Sequence, residues 1–298
     1  MRTNPVLKKL GFSDGDRLVL LHVDDIGMCN ATLDGYRDLL EFGLISCGAI
    51  MVPCPYLPAT AAFGRDHPEA DLGIHATLTS EWVGYRWKPL STVDPASGLI
   101  DAEGYFPRSN DELQEKCNPQ AAMLEMETQV QWALRAGLKP SHMDTHMGTV
   151  MHPKLLQAYA RVGFANHIPV MALRLDEKGW QATGVDPDTA KLAARFVEEL
   201  EETGMPLEDN LAYASLNEPE DKMGQYKRVF ADLPPGITHM YIHPAPDCAE
   251  LRAICPDWRS RVGDYETFRN EEMRKFIQDQ GIRLIGYRSL QELMPAAM

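Results

Sequence analysis

The sequence predicts an α/β fold, a (β/α) barrel-like single domain over residues 1–298 with seven or eight mostly parallel strands. Three observations carry this expectation. β-rich runs and helix-like stretches alternate about eight times, as repeated βα units with a parallel sheet would. The runs do not alternate cleanly between polar and apolar residues, which suits strands covered on both faces. Their number and even spacing fit a barrel better than an open doubly wound sheet, which stays the alternative.

The elements follow in order. RLVLLHV (17–23) reads as the first strand. The helix-like NATLDGYRDLLEFGL comes next, with Asn30 as N-cap and Gly43 placed to end it. ISCGAIMV (45–52) and DLGIHATL (71–78) are the second and third strands. Residues 79–118 then form a long inserted loop, rich in turn formers and holding Trp82, Tyr85, Trp87, Tyr105 and Phe106. A connection this long is often a lid or binding loop. Its aromatics either stack on the apolar face of a sugar ring or make a satellite core beneath the loop. PQAAMLEMETQVQWALRAGL has helical spacing and ends at Gly137, and PSHMDTH (140–146) is the fourth strand. Further strands are expected at 168–175, 211–216, 237–244 and 282–287. Between them lie PKLLQAYARVGF, PDTAKLAARFVEELEETG and YETFRNEEMRKFIQDQG as helical stretches.

Composition narrows the function classes. The chain is 44% hydrophobic and 24% charged, ordinary for a soluble globular protein. A net charge of −14 argues against nucleic acid or an anionic membrane as the main partner. No apolar run approaches the roughly 18 residues of a membrane span. The N-terminal stretch lacks the apolar core of a signal peptide, so a cytoplasmic location is expected. Cys29, Cys47, Cys54, Cys117, Cys248 and Cys255 form no CxxC pair and read as small, mostly buried residues. GxGxxG after the first strand and GxxxxGK[ST] are both absent. The oligomeric state stays open.

The unusual polar residues fall at the C-terminal ends of the strands: Asp24 and Asp25, His75, then His142, Asp144 and His146, and finally His243. Active sites of α/β barrels form at that rim. Carboxylates with imidazoles are a ligand set for a divalent ion, zinc, magnesium or another first-row metal. Adjacent strand residues point to opposite faces, so Asp24 and Asp25 divide the labour. One ligates, and the other takes a proton from a water that the metal acidifies. On an extended strand His142 and His146 would lie roughly 13 Å apart, too far to share an ion. A single ligand is therefore expected there, His146 at the rim, with Asp144 beside or behind it and His142 deeper.

Together these residues resemble the YdjC-like carbohydrate deacetylase family, the ChbG/HpnK group. HVDDIG (22–27) is similar to its N-A-D-D-F-G, GIHATLT (73–79) to its G-x-H-x-x-L-T, HMDTH (142–146) to its H-x-D-x-H, and IHP (242–244) to its late His-Pro. The resemblance implies a variant (β/α) barrel that removes N-acetyl groups from amino sugars by metal-assisted hydrolysis. It implies Asp24 as catalytic base, Asp25, His75 and His146 as ligands of one divalent metal ion, and His243 as general acid. Arg174 resembles a substrate-orienting arginine, and Trp82, Tyr85 and Trp87 are the candidate substrate-stacking residues. The implied substrate is an acetylated sugar. His22 and Ile26 depart from the first motif, and MGTVMHP, ending near His152, replaces further histidines. Two other readings share the same residues: hydrolysis or isomerisation of another small molecule, and a barrel that binds without catalysis.

Overall fold

The computed structural model describes residues 3–295. Its strands are β1 (Arg17–Ile26), β2 (Cys47–Ile50), β3 (Leu72–Ala76), β4 (Met143–Thr145), β5 (Asn210–Ala212), β6 (Gly236–Ile242) and β7 (Arg283–Leu284). All pair in parallel, in the order β4-β3-β2-β1-β6-β5, and β7 adds to the first half of β1. The result is a curled sheet with helices outside it, so the α/β barrel-like expectation holds.

The strand expected at 168–175 is reduced to isolated bridges, Met143 to Val170 and Leu173 to Glu208. Pro169 has no amide hydrogen, which interrupts a ladder at that point. The segment still joins the two ends of the curled sheet, through Met143 N to Pro169 O (2.9 Å) and Arg174 N to Glu208 O (2.9 Å).

Two helix boundaries also differ from expectation. The helix Asn30–Phe42 is capped by Cys29, because the Asn30 side chain instead reaches along the helix to Asp34. Residues 265–281 are split between the helices Trp258–Phe268 and Glu271–Asp279, since Asn270 accepts from Glu272 N at 2.8 Å and starts the second. The loop 79–118 holds one 3-10 turn, Pro95–Ser97, and one short helix, Asn110–Lys116. Five of the six cysteines are buried and all are free thiols. No helix of the described residues is long and apolar enough to cross a membrane.

Alternation along β1 sets up the site. Val19, Leu21 and Val23 belong to the main core that the outer helices cover. Leu18 and Leu20 face the other way, in a small core with Cys47, Ile237 and Tyr287, closed by Val6 and Leu7 of the first helix. The same row continues as His22 and Asp24. Going up the barrel, the interior therefore changes from aliphatic to imidazole to carboxylate.

Candidate active site

The strand β1 does not stay regular to its end. Its register against β2 shifts between Val23 and Ile26, an extra residue on the β1 side, and Asp25 has φ +60°. That left-handed conformation is unusual for a residue with a Cβ, and Asp tolerates it better than most. The bulge cancels the opposite-face rule that a regular strand would impose. Both carboxylates reach one imidazole: His75 Nε2 lies 3.4 Å from Asp25 Oδ1 and 3.9 Å from Asp24 Oδ2.

Asp25, His75 and His146 come together as one buried group, with a donor atom from each within 4.8 Å of the others. His146 Nδ1 is 3.2 Å from Asp25 Oδ1. Each ligand candidate is held from behind. Arg261 Nη1 donates to Asp25 Oδ2 at 2.8 Å, and Arg261 is itself clamped by Asp257 at 2.9 and 3.2 Å. Asp144 Oδ1 meets His75 Nδ1 at 2.8 Å, and Glu81 Oε2 meets His146 Nε2 at 3.1 Å. Such outer partners fix ring orientation and tautomer in metal sites.

The electrostatics point the same way. Burial opposes ionisation of Asp25, yet Arg261 and the two histidines hold its carboxyl well below the usual range. Burial also opposes charge on His75, but Asp144 and Asp24 outweigh it and hold the ring well above its ordinary value. For His146, Glu81 and Asp25 overcome burial and raise it to about 9. The carboxylates demand positive charge between these rings, and an oxygen and two imidazole nitrogens suit a divalent cation.

Asp24 sits beside this group. His22 Nδ1 contacts its Oδ1 at 2.7 Å, and His243 Nε2 lies 3.7 Å from its Oδ2. The loop carrying His243 is pinned by its backbone amide, which donates to the buried Asp264 at 3.0 Å. Behind His22 lies His142, Nε2 to Nε2 at 2.8 Å, stacked on Tyr287 at 3.8 Å between ring centres. His142 is thus the deeper residue of the HMDTH run and His146 the upper one. Gly73 gives His142 its room, since a Cβ there would meet the ring at 2.5 Å.

Asp24, Asp25, His75, His146, His243 and Arg261 line a cavity of about 770 Å³. Among the candidate substrate residues only Trp82 lines it, under the Arg261 guanidinium, 5.6 Å from the ring centre. Trp87 is buried instead, donating Nε1–H to Thr79 O at 2.7 Å and packing edge-on against His146. Tyr85 is committed to Met28 O. Both belong to the packing beneath the loop rather than to the cavity wall. Arg174 is likewise elsewhere, paired with Asp209 at 2.7 Å and Glu201 at 2.8 Å near the start of β6. A buried guanidinium neutralised by two carboxylates there does not face the cavity. His152 caps the helix Pro153–Ala165 and also lines the cavity.

Residues that motif reading missed include Arg261, Glu81, His239 and Tyr241. His239, Tyr241 and His243 alternate along ITHMYIH, so the strand period placed all three on one face. Arg261 gave no such signal, because its role depends on a partner 236 positions away.

Comparison with known proteins gives the family of the chain. The model of the YdjC-like protein family matches residues 18–279. A carbohydrate deacetylase of Thermus thermophilus is 33% identical over 278 residues, covering 92% of this chain and 94% of that one. One of Thermoanaerobacter pseudethanolicus is 23% identical, over 91% of this chain and 98% of its own. Among solved structures, a crystal structure from Enterococcus faecalis superposes with a TM-score of 0.76 at 20% identity, covering 92% and 99% of the two chains.

Proposed function

The chain belongs to the YdjC-like protein family, and on that premise we propose that it hydrolyses the N-acetyl amide of an amino sugar or oligosaccharide, with one divalent cation held by Asp25, His75 and His146. The observation that carries this reading is the bulge in β1, which sets a second carboxylate, Asp24, held by His22, against a buried Asp–His–His group. Zinc and other divalent first-row transition metals suit such a set, and magnesium, which favours oxygen ligands, suits it less well. When bound, the cation supplies Lewis acidity, polarising the amide carbonyl and acidifying water.

The side chains of the chain itself do the rest. Asp24 Oδ2 takes the proton of the attacking water while His22 holds the other oxygen and fixes the carboxylate's direction. His243 protonates the departing nitrogen as the C–N bond breaks, giving acetate and a free amine. Its Nε2 faces the same Asp24 oxygen, so base and acid flank one reacting centre. Arg261 keeps Asp25 ionised and aimed. Trp82 offers an apolar face for a sugar ring, the one member of the aromatic set on the cavity wall.

The test is acetate release from a panel of N-acetylated mono- and disaccharides, with and without chelator and added divalent metals. Acetate that chelator abolishes supports the reading. No acetate from any sugar, with metal shown to be bound, would overturn it in favour of another small amide or ester.

A further inference from the structure

A second group of ligand-type side chains lies directly against the first. His22, Asp24, Asp144 and His239 are all buried, and each offers a donor atom within 4.8 Å of the others. His22 Nδ1 is 2.7 Å from Asp24 Oδ1 and 3.7 Å from Asp144 Oδ2. Nδ1 of His239 meets the Tyr287 hydroxyl at 2.8 Å, and the ring lies 4.7 Å from that of His22. Two imidazoles and two carboxylates, with His239 held from outside by Tyr287 and His22 by His142, are a donor set of the kind that zinc, cobalt or manganese takes. Magnesium and calcium, which favour all-oxygen sets, suit it poorly. Asp24, Asp144 and His239 line the cavity, which gives an ion its path.

We infer that this group is a second cation site, one that switches the enzyme off when occupied. The inference rests on the reading of Asp24 as the base: a cation bound here takes that carboxylate as a ligand and draws off the electron density that lets Oδ2 accept a proton. The site fills after the Asp25 group for two reasons. Binding must break the His22–Asp24 hydrogen bond, and it places a second divalent charge beside the first. Asp144 can serve both groups, because Oδ1 holds His75 while Oδ2 faces His22.

The experiment is a cobalt(II) or zinc titration of the metal-stripped full chain, reading bound metal by equilibrium dialysis and acetate release on the same samples. Two equivalents are expected, the second at least about tenfold weaker, as the loss of one hydrogen bond and the repulsion of the first ion imply. Activity should rise with the first and fall with the second. His239→Gln should lose the second equivalent and the fall, and keep the first. Because that variant could perturb packing, the cobalt absorption of the unmodified chain gives a second readout, with two separate phases expected. One equivalent at all metal concentrations, or a second that survives His239→Gln, would overturn the site. A second equivalent that leaves acetate release unchanged would overturn the switch. Two equivalents with no acetate at any metal level would support the site and overturn the deacetylase reading instead.

Discussion

Replacing Arg261 by Met tests how the Asp25 group is held together. Arg261 is 2% exposed and donates to Asp25 at 2.8 Å while Asp257 grips it through two further bonds. Two effects oppose each other on its removal. A guanidinium repels a nearby cation, so its loss would tighten metal binding if charge alone decided. It also fixes the direction of Asp25 Oδ2, and losing an outer partner of a metal ligand typically costs about 10–100-fold in affinity. The Arg261 charge is already shared between two carboxylates, so its repulsion of a third ion is largely cancelled and orientation should win. The expected result is metal affinity weaker by about 10–100-fold, or roughly 1.4–2.8 kcal/mol. The metal-free fold should lose about 3 kcal/mol, the low end for breaking a buried pair, because Asp257 is partly solvated. Competition against a chromophoric chelator measures the first, and denaturant unfolding in chelator the second. Arg261→Lys should recover only part of the affinity, since an ammonium cannot make the same forked contacts. Affinity unchanged or tighter in Arg261→Met would refute the reasoning and make Arg261 a charge balancer only.

Two further perturbations have defined outcomes. Gly35 lets the helix Asn30–Phe42 touch the backbone just after His243, and a Cβ there would lie 2.4 Å from Pro244 O. Gly35→Ala should therefore displace His243, lowering kcat by up to about 100-fold with bound metal unchanged, since a shift near 1 Å costs that much; lost metal would contradict this. Glu208 is raised by burial to about 8, so its neutral form stabilises the fold fully below about pH 4.5 and that stabilisation is lost as pH rises towards 8. Glu208→Gln cannot ionise and should gain stability over the parent by a few kcal/mol at pH 8 but little at pH 5, at about 1.4 kcal/mol per unit. Equal pH dependence of the two melting curves would contradict it.

Much of the frame was legible because it follows from short-range rules. Seven of the expected strands appear, and alternation along β1 and β6 explains why their polar residues share the barrel interior. The segment 168–175 was misjudged because Pro169 and its position as a link between two edges outweigh its β-rich composition. At the site, the two-residue period predicted Asp24 and Asp25 on opposite faces. The bulge and the left-handed Asp25 bring them to one histidine, and neither is visible in HVDDIG. Long-range pairing was equally hidden. Arg174 carried the family resemblance and Arg261 no signal, yet Arg174 is neutralised at the far end of the barrel while Arg261 reaches Asp25. Likewise Trp82, Tyr85 and Trp87 lie within six positions of one another, and only Trp82 meets the cavity.

The most direct measurement of the central claim is Asp24→Asn, assayed for bound divalent metal and acetate release on one preparation loaded with a single equivalent. Asparagine keeps the shape of the side chain and cannot accept the proton. Bound metal near one equivalent with acetate release lower by at least about 100-fold is the predicted result. Acetate release near that of the parent would contradict the base assignment, and loss of the metal would contradict the division between Asp24 and Asp25.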